Sequence, residues 1–198
     1  MAGKKRLVVC NGPWLVVQLR QHCITSFYRN WTHYKNGFGS LKTDFWLGLE
    51  AMHQITTKQP HKVRFEMTAN NGTAYVAEYS RFKIGSETTN YRLDIAGYTG
   101  NAGDGISSPL NVQHKINGYP FSTPDRDNDE WLNNCAKFAN AGFWYKVCTA
   151  VRINSPCAGQ PGYDYDGRKI SCMIWHSLKR YTVIPPLNYS RMAIMPNP

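Results

Sequence analysis

Three aspartates, Asp125, Asp127 and Asp129, stand at alternate positions in the segment STPDRDNDEWLNNCAKF, residues 122–138. Alternate carboxylates in an extended or turning backbone can converge on one point, where their like charges repel unless a cation lies between them. Carboxylate oxygens are hard ligands of the kind that calcium prefers. From spacing alone a calcium site and an ordinary solvated turn are both open, because Asp and Asn are common turn residues.

The segment does not fit the EF-hand, the most familiar calcium-binding loop. That loop requires Gly at its sixth position and Glu at its twelfth, and the residues found there are Glu130 and Ala136. A calcium site here therefore belongs to another design.

Residue patterns that indicate catalysis are missing from the sequence. It contains no nucleophile elbow, no HExxH and no phosphate-binding loop, and its six histidines have no partner at catalytic or zinc-binding spacing. We therefore predict that the protein is not an enzyme.

The composition predicts one globular domain covering residues 1–198, with 42% hydrophobic and 18% charged residues. No apolar run reaches the length of a membrane-spanning helix. The net charge of +10 suits nucleic acid, anionic lipid or an acidic glycan equally. Because Lys and Arg are scattered, an ordinary solvated surface is favoured over a nucleic-acid site.

Six cysteines, none at CxxC spacing, favour disulfides over zinc. Asn-x-Ser/Thr sequons at Asn30, Asn71 and Asn188 indicate the same oxidising, extracellular setting, and would make the protein a glycoprotein. The opening segment lacks the uninterrupted apolar run of a signal peptide, so the chain is expected to be a fragment or to be exported by another route.

Periodicity predicts two helices and several strands. One helix begins at Ser26 and stops at Gly37, and FWLGLEAMHQITT forms a second with Trp46, Leu49, Ala51 and Met52 on a buried face. The segment 61–84 is predicted to be a hairpin turning at Asn71 and Gly72. Further strands are expected in NYRLDIAGY, SCMIW and RMAIMP, and residues 97–169 are predicted to be mostly irregular.

The segment DRDNDEWLNNCAKFANAGFWYKVC resembles the signature of the fibrinogen C-terminal globular domain, and the segments 27–56 and 72–104 resemble the same family. The resemblance runs from about residue 14 to 195. It implies an α+β fold, with a twisted antiparallel sheet, short helices and a loop-rich calcium-binding region. The family's amino-terminal subdomain is expected to be truncated here.

The resemblance also implies a calcium site and a disulfide. The implied calcium ligands are the carboxylates of Asp127 and Asp129 and the main-chain carbonyls of Trp131 and Asn133. Cys135 and Cys148 match the family's disulfide across the same loop.

The other four cysteines have no clear family match. Cys10 is left without a partner or pairs with Cys23, and a bridge between Cys157 and Cys172 remains by elimination. Six cysteines allow fifteen connectivities, so sequence alone does not decide.

Lectin-like members of the family bind acetyl groups in a pocket beside the calcium loop. The corresponding positions in this chain are Ala139, Val147, Cys148, Thr149, Tyr163 and Tyr165. The peptide from Val147 to Cys148 is expected to be cis. Ala139 and Thr149 replace the family's tyrosine and histidine, which weakens the pocket.

We therefore expect a secreted, calcium-dependent recognition domain of lectin type that binds glycans or other surface groups, as in innate-immune pattern recognition. The alternative is a protein-interaction module for receptor binding or assembly, and a polyanion binder ranks third.

We expect several aromatic side chains to pack in the core: the cluster 143–145, Trp31, Trp46 and Trp175. No heptads encode a coiled coil.

Overall fold

The computed structural model describes residues 7–109, 112–157, 173–175 and 186–197. The strands are β1 Val9–Asn11, β2 Trp14–Arg20, β3 Phe38–Gly39, β4 Phe45–Trp46, β5 His61–Ala69, β6 Ala74–Ile84, β7 Leu93–Gly100, β8 Phe121–Ser122, β9 Phe143–Trp144 and β10 Leu187–Pro196. The α-helices are α1 Trp31–Asn36, α2 Leu49–Thr56 and α3 Cys135–Phe138. Single 3₁₀ turns span Glu87–Thr89 and Val112–His114.

Eight of these strands form one antiparallel sheet, in the order β3-β4-β2-β10-β5-β6-β7, with β1 paired to β2. The late strand β10 lies between the early strands β2 and β5. The short strands β8 and β9 pair separately, and the acidic segment lies between them in the sequence. This architecture confirms the predicted α+β fold.

The hairpin of β5 and β6 confirms the prediction for residues 61–84. Side chains of β5 alternate between buried and half-buried along its length, which is the pattern of a strand with one covered face. Gly72 adopts a φ of 83° in the turn, a left-handed conformation that glycine reaches without a steric penalty.

The helices are shorter than predicted. α1 begins after Asn30, whose side chain accepts the backbone N–H of His33, so the predicted start at Ser26 was wrong. It ends at Gly37, as predicted. Trp46 lies in β4 and does not belong to α2.

Two of the remaining strand predictions are largely confirmed, one falls mostly outside the described residues, and one strand was missed. NYRLDIAGY contains most of β7, and β10 extends RMAIMP by four residues towards its amino end. In SCMIW only residues 173–175 are described, and Trp175 forms an isolated bridge with Val151. The strand β2 was not predicted, because a segment buried on both faces shows no alternation.

Aromatic side chains fill a large part of the core. Trp31, Trp46 and Trp175 are buried, as are residues 143–145, so the packing role predicted for them is confirmed. The indole N–H of Trp46 donates to the Tyr34 carbonyl at 3.0 Å. That of Trp144 donates to the Tyr91 carbonyl at 2.8 Å. These bonds satisfy the polar atoms that burial would otherwise leave unpaired.

Two disulfides cross-link the described residues. Cys135 pairs with Cys148, the pair that the resemblance implies. Cys23 pairs with Cys157, 134 positions away, so the predictions that joined Cys23 to Cys10 or Cys157 to Cys172 were wrong. Cys10 is exposed and unpaired. Cys172 lies outside the described residues.

The buried carboxylate of Asp44 holds the loop that carries Cys23. Its Oδ1 accepts the backbone N–H groups of residues 21, 22 and 23, and its Oδ2 accepts those of residues 24 and 25, at 2.7–3.1 Å. Burial by itself raises the pKa of Asp44, but the N–H donors outweigh burial and hold this pKa below its ordinary value.

We expect Asp44→Asn to destabilise the protein by about 1–3 kcal/mol at neutral pH, because its amide NH₂ would face N–H donors. Since the folded-state pKa of Asp44 is lowered, its contribution is present above the ordinary pKa of Asp and is lost as pH falls through the folded value. The difference between the two proteins should therefore shrink below about pH 4. Denaturant unfolding of wild type and Asp44→Asn at several pH values measures this difference in stability.

Asp94→Asn is the matched control. Asp94 is half-exposed and pairs with Arg81 at 3.0 Å, so its loss should change stability by less than about 1 kcal/mol. Equal effects of the two substitutions would contradict the role assigned to Asp44.

Candidate functional site

The acidic loop, residues 123–134, connects β8 to α3 and is tied to the fold at several points. The backbone N–H of Asn128 donates to the Ser122 hydroxyl at 3.0 Å, and its side-chain amide donates to the Phe121 carbonyl at 2.7 Å. The side chain of Asn134 donates to the Thr123 carbonyl at 3.1 Å. These contacts fix the middle of the loop to β8 and join the two ends of the loop to each other.

The three aspartates do not converge. Asp125 turns towards α1, where its Oδ1 accepts the backbone N–H of Trp31 at 2.9 Å and the Thr123 hydroxyl at 2.7 Å. Only Asp127 and Asp129 remain together. The pair left together is the one that the family resemblance names as carboxylate ligands, because Asp125 is engaged by a helix distant in sequence.

Asp129 closes the loop. Its Oδ1 accepts the backbone N–H of Trp131 at 3.1 Å, and its Oδ2 accepts that of Cys135 at 3.0 Å. The Asp127 carboxylate accepts the backbone N–H of Asp129 at 3.3 Å. Burial and the facing Asp127 carboxylate raise the pKa of Asp129 to about 7. The Asp127 carboxylate is thus held close enough to oppose the ionisation of Asp129.

This donor set fits a hard divalent cation. A cation beside Asp127 and Asp129 would remove their mutual repulsion. Among the described residues, no donor reaches the carbonyl oxygens of Trp131 and Asn133, which leaves two further oxygens on the same loop. The described residues contain no group of three or more His, Cys, Asp or Glu side chains placed for a metal, so main-chain carbonyls and water would have to complete the coordination.

Two of the positions matched to the acetyl pocket are buried in the fold. Ala139 is fully buried, and its carbonyl accepts the Ser155 hydroxyl at 2.7 Å. Thr149 is 2% exposed, and its hydroxyl accepts the backbone N–H of Val151 at 3.0 Å. Neither side chain is therefore available to a ligand in this conformation.

Other members of that expected pocket also differ from the prediction. No peptide bond among the described residues is cis, so the bond from Val147 to Cys148 is trans. Cys148 is buried and adopts a φ of 33°, while Val147 is half-buried. Tyr163 and Tyr165 lie outside the described residues.

An apolar feature of the loop escaped the sequence analysis. Leu132 is 100% exposed, and the neighbouring Trp131 ring packs edge-on against Phe138 at 5.5 Å. The guanidinium of Arg152 lies 4.8 Å from the centre of the Phe138 ring. A leucine among polar residues in EWLNN was the available signal. We call Trp131, Leu132, Phe138 and Arg152 the loop surface.

The antiparallel sheet, the short helices, and the acidic loop followed by the Cys135–Cys148 disulfide define an α+β domain of the fibrinogen-like type. The model of the family described as "Fibrinogen beta and gamma chains, C-terminal globular domain" matches residues 7–197. The chain belongs to this family, which confirms the predicted resemblance.

The curated relatives include angiopoietins. Human angiopoietin-related protein 7 is 41% identical over 175 aligned positions, and the alignment covers 85% of this chain and 48% of that protein. Human angiopoietin-4 is 36% identical over 200 aligned positions, and the alignment covers 98% of this chain and 38% of that protein. The chain thus spans less than half the length of these two relatives.

Solved structures of the same fold are also similar. The fibrinogen-like globe domain of human ANGPTL2 aligns with a TM-score of 0.81 and 33% identity, covering 93% of this chain and 81% of that one. Lamprey fibrin D-dimer, solved with the peptide Gly-His-Arg-Pro-amide, aligns with a TM-score of 0.80 and 32% identity, covering 95% of this chain and 63% of that one.

We expect Ala139→Tyr, which restores the family's aromatic residue, to destabilise the protein by about 3 kcal/mol or more. The new ring has no space at a fully buried position. Lys137→Tyr, at an exposed position of the adjoining helix α3, should change stability by less than about 1 kcal/mol. Denaturant unfolding compares the two, and a neutral Ala139→Tyr would mean that this position opens onto a pocket.

Proposed function

We propose that this domain is an extracellular protein-recognition module, and that it binds a partner protein or peptide through the loop surface. The observation that carries the proposal is the fully exposed Leu132 beside the Trp131–Phe138 pair. Apolar and aromatic side chains presented on a fixed loop are typical anchors of protein interfaces. The angiopoietin relatives support this class of function over a lectin.

The fixed shape of the loop supports binding without a large ordering cost. Asp129 pins the loop from within, and the disulfide from Cys135 to Cys148 pins its carboxyl end. A preorganised surface loses little conformational entropy when it binds. Arg152 adds a cation beside the apolar patch, and arginine is enriched at interface anchors.

The proposal includes calcium as a structural ion. Asp127 and Asp129 would hold it through their carboxylates, with the carbonyls of Trp131 and Asn133 as further ligands. When bound, the ion supplies the positive charge that offsets the two facing carboxylates. The residues of this chain then keep the loop closed, and no catalytic step is involved.

A protein or peptide partner is favoured over an acetylated glycan. Ala139 and Thr149, which stand at two positions of the expected acetyl pocket, are buried. The lamprey fibrin structure was solved with a bound peptide, which supports peptide recognition by this fold.

Two disulfides support the extracellular location. No helix in the described ranges is long and apolar enough to span a membrane.

We expect Leu132→Ser to weaken partner binding by about tenfold or more while leaving stability unchanged, because the side chain packs on nothing in the free protein. The measurement is binding of wild type and variant to a panel of purified receptor ectodomains and to a glycan array, in calcium. Ile24→Ser is the matched control, since Ile24 is 73% exposed on the Cys23 loop. Equal binding by all three proteins would contradict the proposed surface.

We expect calcium to stabilise the wild type, by about 2.7 kcal/mol at a hundredfold excess over its Kd. Asp127→Asn should lose most of this gain. In EDTA the same variant should melt above the wild type, because one of two facing charges is gone. Asp125→Asn should keep the calcium response, since Asp125 faces α1. Thermal unfolding with calcium and with EDTA tests this, and identical calcium responses of wild type and Asp127→Asn would reject the site.

A further inference from the structure

The three sequons noted in the sequence occupy different structural settings. Asn30 precedes α1, Asn71 lies at the tip of the β5–β6 hairpin, and Asn188 lies in β10. All three asparagines are exposed. Exposure therefore does not distinguish the three sequons. We compare instead the hydrogen bonds made by each asparagine carboxamide and by the hydroxyl of the residue two positions later.

The sequon of Asn71 lies in an exposed turn, where Asn71, Gly72 and Thr73 are all exposed. Its Oδ1 accepts the backbone N–H of Thr73, the residue that carries the sequon hydroxyl, at 3.0 Å. No hydrogen bond among the described residues engages its Nδ2. Among the described residues, a Cβ placed on Gly72 would meet no atom within 4 Å, so the space beside this glycine is open.

Asn30 and Asn188 lack this arrangement. The Oδ1 of Asn30 accepts from the backbone N–H and the ring of His33, one residue beyond the sequon threonine. In the third sequon, Ser190 is 1% exposed and its hydroxyl accepts the side-chain amide of Gln18 at 2.8 Å. Both sequons are thus bonded to residues outside their own triplet, whereas the described hydrogen bond of the Asn71 side chain lies within its own sequon.

We propose that Asn71 is the preferred N-glycosylation site of this domain, modified with an oligosaccharide delivered by a lipid-linked diphosphate donor. The Nδ2 atom bonds to the anomeric carbon of the sugar and gives up one proton. The bond from that carbon to the diphosphate oxygen breaks, and the diphosphate leaves with the electron pair. The proposal rests on the extracellular location proposed above, since the donor is met during secretion.

The test is to secrete the 198-residue chain from a mammalian cell line behind an added signal peptide. Because the added signal peptide ensures secretion, a negative result would count against glycosylation of Asn71 and not against the proposed extracellular location. Trypsin places each sequon on its own peptide, residues 30–35, 65–81 and 181–191. Mass spectrometry of the intact glycopeptides then reads each site independently.

We expect peptide 65–81 to carry a glycan on nearly every molecule, and Asn71→Gln and Thr73→Ala to remove it. Thr73→Ser keeps the hydroxyl and should retain the modification. Asn30→Gln and Asn188→Gln should leave peptide 65–81 unchanged. An unmodified 65–81 peptide would overturn the proposal, and so would more complete modification at residue 30 or 188 than at residue 71.

One control is specific to this turn. Asn71 precedes Gly72, and Asn-Gly pairs can deamidate spontaneously to aspartate, which mimics the trace left by enzymatic removal of a glycan. Releasing the glycan in water labelled with heavy oxygen marks only residues converted during the enzyme step. Conversion without the label, and without an intact glycopeptide, counts against the proposal.

Discussion

The hydrogen bonds accepted by the Asp129 carboxylate are the constraint on which the candidate site depends. One oxygen binds the backbone of Trp131 and the other binds that of Cys135. The chain must therefore fold back within a few residues, which leaves Leu132 at the apex with its side chain in solvent. The same carboxylate faces Asp127, so the contact that shapes the loop also creates its unfavourable charge pair. A divalent cation would resolve that conflict without changing the shape.

The rest of the fold holds this loop rigidly from several sides. Asp125 ties it to the start of α1, and the disulfide of Cys135 ties its end to the segment after β9. Beneath it lie buried aromatic rings, with Trp144 packed edge-on against Phe121 at 5.1 Å. Close-packed interiors resist local deformation. A surface built on such a base is suited to recognition by shape, which agrees with the proposed interaction role.

Local features of the fold could be predicted from the residues themselves and the overall architecture from the family resemblance, whereas individual long-range contacts could not be predicted. The β5–β6 hairpin follows from alternation and from Asn71 and Gly72, which act within a few residues. The link from Cys23 to Cys157 spans 134 positions and depends on which strands become neighbours. For the site, the sequence supplied the acidic residues, but the turn of Asp125 towards α1 depends on a helix 94 positions away. The burial of the expected pocket residues depends likewise on tertiary packing.

Terbium luminescence tests the central claim most directly, because Trp131 lies within the loop that would hold the ion. Terbium resembles calcium in its preference for oxygen ligands, and excitation of a nearby tryptophan sensitises its emission. We expect sensitised emission from the wild type that calcium displaces, and little emission from Asp127→Asn. Emission that is absent from the wild type, or that calcium leaves unchanged, would contradict a calcium site between Asp127 and Asp129.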